Sequence, residues 1–196
     1  MLQLSTRAQL LLGLGLALMM AATRGHHFAS LENLPSAAWA LFFIAGFYLR
    51  SKWAFAGLMA EAVLLDISAV GFQGAIDLCI TVAYPMLLPA YGALWLGGRW
   101  LATRYRAHWS MLWPLLVSVV LASSLCQLIS SGSYYYFSGR FADPTLAEFA
   151  QRLLRYGPLS LQSMVFYIAL TAVLHSAVLA MMQWRSAAVM NRGHHL

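Results

Sequence analysis

The chain is 196 residues long, 61% apolar and only 9% charged, with a mean hydropathy of +0.69. A soluble domain spends about a quarter of its residues on charge, so a water-exposed globule and a disordered tail are both excluded and the chain reads as embedded in a membrane. Its basic residues, eleven Arg and Lys52 against six acids, stand singly between apolar runs. They therefore read as topology signals rather than a phosphate-binding face, and no nucleic-acid partner is expected.

A helix needs about 20 apolar residues to cross a hydrocarbon core of about 30 Å, and division of the chain at its charges predicts six such helices in one integral membrane domain, 1–196. The first lies between Arg7 and Arg24, the second between Glu32 and Arg50, and the third begins after Lys52 and fades around Asp66. The fourth runs from about Cys79 to Gly98, where Pro85 and Pro89 read as interruptions, the fifth from about Ala107 to Ser130, and the sixth from about Gly157 to Trp184. The first run also has the shape of a secretory signal peptide, with Arg7 ahead of a short apolar stretch, but it ends in Thr23-Arg24 without a clear A-x-A site.

With both termini on the cytoplasmic side, the inner segments hold Arg7, Arg50, Lys52, Arg99, Arg104, Arg106, Arg185 and Arg192, and the outer segments hold Arg24, Arg140, Arg152 and Arg155. Eight against four favours N-in, C-in. Five acids, Glu32, Asp66, Asp77, Asp143 and Glu148, then fall at or near the outer face. Trp53, Trp95, Trp100, Trp109, Trp113 and Trp184 fall towards the inner one, as an interfacial belt.

Polar chemistry collects on the outer side. The inner connections are short and basic and suggest no site. The outer ones comprise a segment with His26, His27 and Phe28, the Asp66–Asp77 stretch, and a long Ser130–Pro158 segment with Tyr134, Tyr135 and Tyr136. The last of these contains an amphipathic piece, Pro144–Arg155, with Asp143 as its expected N-cap. A connection of that length between membrane helices points to function, here a pocket for a large amphipathic ligand.

Cys79 stands two positions after Asp77. It reads as a small buried hydrophobe, as half of a disulfide with Cys126, or as a thiolate ligand for a soft metal centre reached from outside. The two cysteines are too few for a disulfide scaffold or a four-cysteine zinc site. His27 reads as an interfacial residue or a ligand-site residue. Glu61 and Asp66 are five apart and do not share one helix face; Asp66 belongs near the outer mouth and Glu61 deeper. Gly13, Ala17 and Ala21 recur every four residues on the first helix, a small-residue stripe suited either to packing within the bundle or to docking on a membrane partner.

Six helices near 200 residues, a small-residue stripe on the first and a binding face made of outer loops resemble the substrate-binding S-components of energy-coupling factor (ECF) vitamin transporters. More narrowly, GHHFASLENLP, LMAEAVLLDISAVGFQGAIDLCITVAYP and the aromatic fifth connection are similar to the BtuM family of small bacterial cobalamin transporters. The resemblance implies an S-component-like all-α bundle in the bacterial inner membrane that takes up cobalamin (vitamin B12). It implies Cys79 as the axial ligand of the corrin cobalt, with His27, Phe28, Asp66, Tyr84 and Tyr135 in the same pocket. The thiolate is also expected to help remove an existing axial group, so that bound cyanocobalamin loses cyanide. A cobalamin disc, mostly neutral and fringed with amides, suits aromatic walls and hydroxyl partners, and a thiolate suits cobalt.

The chain has no G-x-x-x-x-G-K-[ST] loop. Energy is therefore expected from a separate module docked on the Gly13/Ala17/Ala21 stripe, or transport is facilitated and made one-way by trapping inside. An alternative function is a b-type haem membrane protein with His108 and His175 as ligands, His27 falling on the opposite side. An intramembrane hydrolase would need a nucleophile turn of the G-x-S-x-G kind, which is absent from the sequence.

Overall fold

The computed structural model describes residues 4–24, 36–73 and 82–193, the side chains of 69–73 and 185–193 excepted. These residues form six helices: α1 (Thr6–Thr23), α2 (Ala38–Tyr48), α3 (Trp53–Gln73), α4 (Leu87–Arg104), α5 (Leu112–Phe137) and α6 (Leu146–Gly193). Short 3-10 turns, Tyr84–Met86 and Trp109–Met111, lead into α4 and α5. Three stretches, Thr6–Thr23, Trp109–Phe137 and Leu146–Trp184, are long and apolar enough to cross a membrane.

A helix apolar on every face has to be surrounded, and α2 meets that condition. Phe42, Leu41 and Ala45 on it are buried, and it forms the centre of the core. Its most extensive partner is α4. The two backbones approach so closely that a Cβ on Gly46 would overlap the Trp95 carbonyl, and one on Gly98 would overlap that of Phe43. On the adjoining face of α4, Gly97 meets Ala122 of α5, and the Ser118 hydroxyl donates to the Gly97 carbonyl at 2.8 Å. Backbones come this close only where glycine stands at the contact, because a side chain there would overlap the facing carbonyl. Arg99 of α4 closes the exit of α2, donating to the carbonyls of Leu49 and Arg50 at 2.7 Å each, which satisfies acceptors a helix end leaves open. At the entrance of α2, Thr23 Oγ1 accepts from the Ala37 amide while donating to the Met19 carbonyl, pinning α2 to the end of α1.

Polar contacts sort the helix ends into two groups. Arg24, Asp66, Tyr84 and Tyr91 meet at one end. At the other, Gln9 accepts from the Arg50 amide, and Arg99, Tyr48, Tyr105 and His175 gather.

Several elements differ from the sequence expectation. Pro89 does not interrupt α4, which begins at Leu87: it sits in the first turn, where the missing N–H has no helical acceptor anyway, and Pro85 lies in the 3-10 turn ahead of it. The Ser130–Pro158 loop shrinks to residues 138–145. The serines do not end α5, because Ser130 and Ser133 turn their hydroxyls back onto the Cys126 and Ser130 carbonyls; Gly139, with φ of +71°, marks the reversal. Pro158 lies inside α6, so the amphipathic piece is continuous with the last span. Its N-cap is Thr145 rather than Asp143, with Thr145 Oγ1 accepting from the Glu148 amide at 3.3 Å. Trp95 belongs to the core rather than the belt, whereas Trp53, Trp109, Trp113 and Trp184 are exposed. The small-residue stripe on α1 divides: Gly13 and Ala17 are half-buried, with Gly13 beside Leu49, and Ala21 is exposed alongside Leu10, Leu14 and Leu18.

Candidate functional site

At the end of α1, the chain places a guanidinium where three helices converge. Arg24 donates from Nε to Asp66 Oδ1 and from Nη2 to Asp66 Oδ2, both at 2.7 Å, a bidentate fork between the ends of α1 and α3. Its Nη1 donates to the Tyr91 hydroxyl at 3.3 Å. The Tyr84 hydroxyl donates to Asp66 Oδ2 at 2.8 Å. The Arg24 side chain is 9% exposed and that of Asp66 18%. Burial works against the Arg24 charge, but the hydrogen bond to Asp66 and the neighbouring Tyr91 and Asp66 outweigh it, holding the guanidinium above its ordinary range. Tyr91 is fixed in turn by stacking on Phe42, ring centroids 4.5 Å apart.

Chemically this is a self-neutralised ion pair edged by phenols. It presents hydroxyl and aromatic surface rather than net charge, and it ties together the two helices that flank the segment bearing Cys79. Asp66 stands thirteen residues before that cysteine and Tyr84 five after it.

Of the residues singled out in the sequence, Asp66 and Tyr84 are brought into direct contact. Cys79, His27 and Phe28 lie outside the described residues, as do Asp77 and Glu32. Tyr135 is buried in a different setting, at the turn between α5 and α6. Its hydroxyl accepts from the Thr145 amide at 3.0 Å and donates to Glu148 Oε2 at 2.9 Å. In a capping box the N3 carboxylate reaches the N-cap amide directly; here the Tyr135 hydroxyl stands between them. Arg152 covers the same turn, 4.6 Å from the Phe141 ring centroid. Glu61 is half-buried on α3, below Asp66. Cys126 is a free, buried thiol. Among the described residues no group of three or more His, Cys, Asp and Glu could hold a metal ion.

Two residues of the cluster are not evident from the sequence pattern. Arg24 reads there only as a topology charge, although an arginine and a carboxylate assigned to the same membrane end are natural partners. Tyr91 lies seven residues after Tyr84, the spacing that returns to one helix face.

The opposite end also holds a cavity, of about 550 Å³, where short connections give no sign of one. His108 and His175 both line it. His175 Nδ1 is 3.0 Å from the Tyr48 hydroxyl and Nε2 is 2.6 Å from that of Tyr105, so both ring nitrogens are engaged. His108 Nδ1 accepts from the Ser110 amide at 3.2 Å.

No family model matches the chain, and no curated protein matches it.

Proposed function

We propose that the chain captures cobalamin at the end that carries Arg24, Asp66 and Tyr84 and moves it across the bacterial inner membrane, N-in and C-in, with the Cys79 thiolate ligating the corrin cobalt. The observation that carries this reading is the hydrogen bond from Tyr84 to Asp66. These two residues are assigned to one pocket by the resemblance to the BtuM family, and they flank Cys79 in the chain. The internal pairing of Arg24 with Asp66 leaves a neutral, phenol-edged surface suited to an amide-fringed disc.

In this reading Cys79 has a chemical role besides holding the vitamin. The thiolate attacks cobalt from its vacant axial side or in exchange for the group there; the cobalt–sulfur bond forms, the cobalt–cyanide bond breaks, and cyanide leaves with the thiol proton. No electron is gained or lost. Energy comes from a separate module or from trapping inside. The face of α1 open to such a module is Leu10, Leu14, Leu18 and Ala21 rather than the whole Gly13/Ala17/Ala21 stripe.

Equilibrium titration of the purified protein with cobalamin and with the smaller precursor cobinamide tests the reading. Both should bind to the parent, and Cys79→Ala should weaken both by at least about tenfold, a loss of about 1.4 kcal/mol. Absence of corrin binding to the parent overturns it.

The second reading, a b-type haem protein, draws on the cavity that His108 and His175 share. Against it, ligation would cost His175 one of its two tyrosine hydrogen bonds. A Soret band in protein purified without added vitamin would favour haem.

A further inference from the structure

The cavity at the Arg50 end runs lengthwise along α6 as a half-open slot. Its α6 wall is a single helical stripe in which Ile168, His175 and Gln183 mark the deep end, middle and mouth. Fifteen residues of helix span about 22 Å.

Chemistry is graded along this slot. The deep end is walled by apolar side chains, Phe43, Ile44, Leu115 and Ile168. Midway stands the Tyr48–His175–Tyr105 chain of hydrogen bonds. With a neutral imidazole, one N–H and two O–H groups supply three protons for two bonds, so one proton remains to be donated to a third acceptor. At the mouth are Arg106 and His108, both exposed, beside Trp109. No carboxylate is among the lining residues, and the ion pair found among the described residues is Arg24–Asp66, at the other end. Arg50, Lys52, Arg99 and Arg104 add to the positive charge of the same end.

We infer that this slot is a binding site for an anionic phospholipid, with its phosphate against Arg106 and His108, an ester carbonyl accepting from the Tyr48–His175–Tyr105 chain, and one acyl tail between α2, α5 and α6. The sequence of groups in the lipid, anion then ester then hydrocarbon, matches the order of basic, hydroxyl and apolar walls from mouth to depth. A basic rim beside a membrane favours anionic over zwitterionic headgroups. The site is separate from the proposed cobalamin pocket and does not depend on it.

Native mass spectrometry of the full chain in detergent, titrated with phosphatidylglycerol and with phosphatidylcholine of the same acyl chains, provides the test. Phosphatidylglycerol should be retained roughly tenfold more tightly, equivalent to about 1.4 kcal/mol, and an ether-linked phosphatidylglycerol should bind more weakly than the ester. Arg106→Gln, at an exposed position, should erase the headgroup preference, and Ala172→Trp should fill the slot and abolish retention of either lipid. Equal retention of the two headgroups by the parent overturns the inference. So does retention unchanged by Ala172→Trp, which would place the lipid on the outer surface, or a haem co-purifying in the slot. If Ala172→Trp does not fold, Leu179→Phe narrows the same slot, and unchanged retention there overturns the inference equally.

Discussion

Replacing Asp66 by alanine removes the acceptor of three hydrogen bonds at once, two from Arg24 at 2.7 Å and one from Tyr84 at 2.8 Å. Tyr84 is half-buried and can turn to water, so its loss adds little. Arg24 cannot: with its side chain 9% exposed, it would be left as an unpaired charge among apolar helices. Breaking a buried pair from one side costs about 3–5 kcal/mol. At about 2–4 °C of melting temperature per kcal/mol for a chain of this size, the expected drop is roughly 6–20 °C. Removing both charges at once, as Arg24→Met with Asp66→Leu, leaves no orphan and should return most of that stability. Thermal unfolding in detergent, followed by circular dichroism for parent, single and double variants, reads all three. An Asp66→Ala protein within about 1 kcal/mol of the parent would mean that Arg24 reaches water and that the cluster does not hold α1 to α3. The double variant has a further use: restored stability with lost cobalamin binding would separate a contact with the vitamin from a tie between helices.

Other consequences follow from the same packing. Gly98→Ala should cost at least about 1–3 kcal/mol, the usual range for overpacking, because the added Cβ meets the Phe43 backbone rather than a side chain that could move; Gly92→Ala, with open space around it, serves as the control in the same melting assay. Arg99→Met should lower stability by about 1–3 kcal/mol through the loss of two charge-assisted bonds to the end of α2, and a melting temperature equal to the parent's would show that those carbonyls find water. Tyr135→Phe should speed amide hydrogen exchange at Thr145–Phe149, where its hydroxyl bridges the N-cap amide and Glu148, without altering exchange in α2; unchanged rates at Thr145 would refute the bridging role.

The all-helical class is legible from charges and apolar runs, because long apolar runs bounded by single charges leave room for little but helices. Punctuation signals, whose meaning depends on position, mislead. Pro85 and Pro89 look like breaks, yet they begin a helix; Ser130 and Ser133 look like loop, yet their hydroxyls fold back on the helix carbonyls. The tightest backbone approaches are at Gly46, against Trp95, and at Gly98, against Phe43, rather than along the regularly spaced Gly13, Ala17 and Ala21. Likewise, the slot at the Arg50 end takes its polar centre from Tyr48, Tyr105 and His175, which three separate helices or their ends supply. No local spacing rule connects such residues. Asp66 and Tyr84 can be paired from sequence only through a resemblance that already places them in one pocket.

The absorption spectrum of cyanocobalamin bound to the parent and to Cys79→Ala addresses the central claim most directly, with free cyanide measured alongside. Binding to the parent should move the cobalt-centred bands away from those of free cyanocobalamin and release cyanide over time, while Cys79→Ala should leave the bands in place and the cyanide bound. Identical spectra and identical cyanide release from the two proteins would show that the Cys79 sulfur does not touch the cobalt.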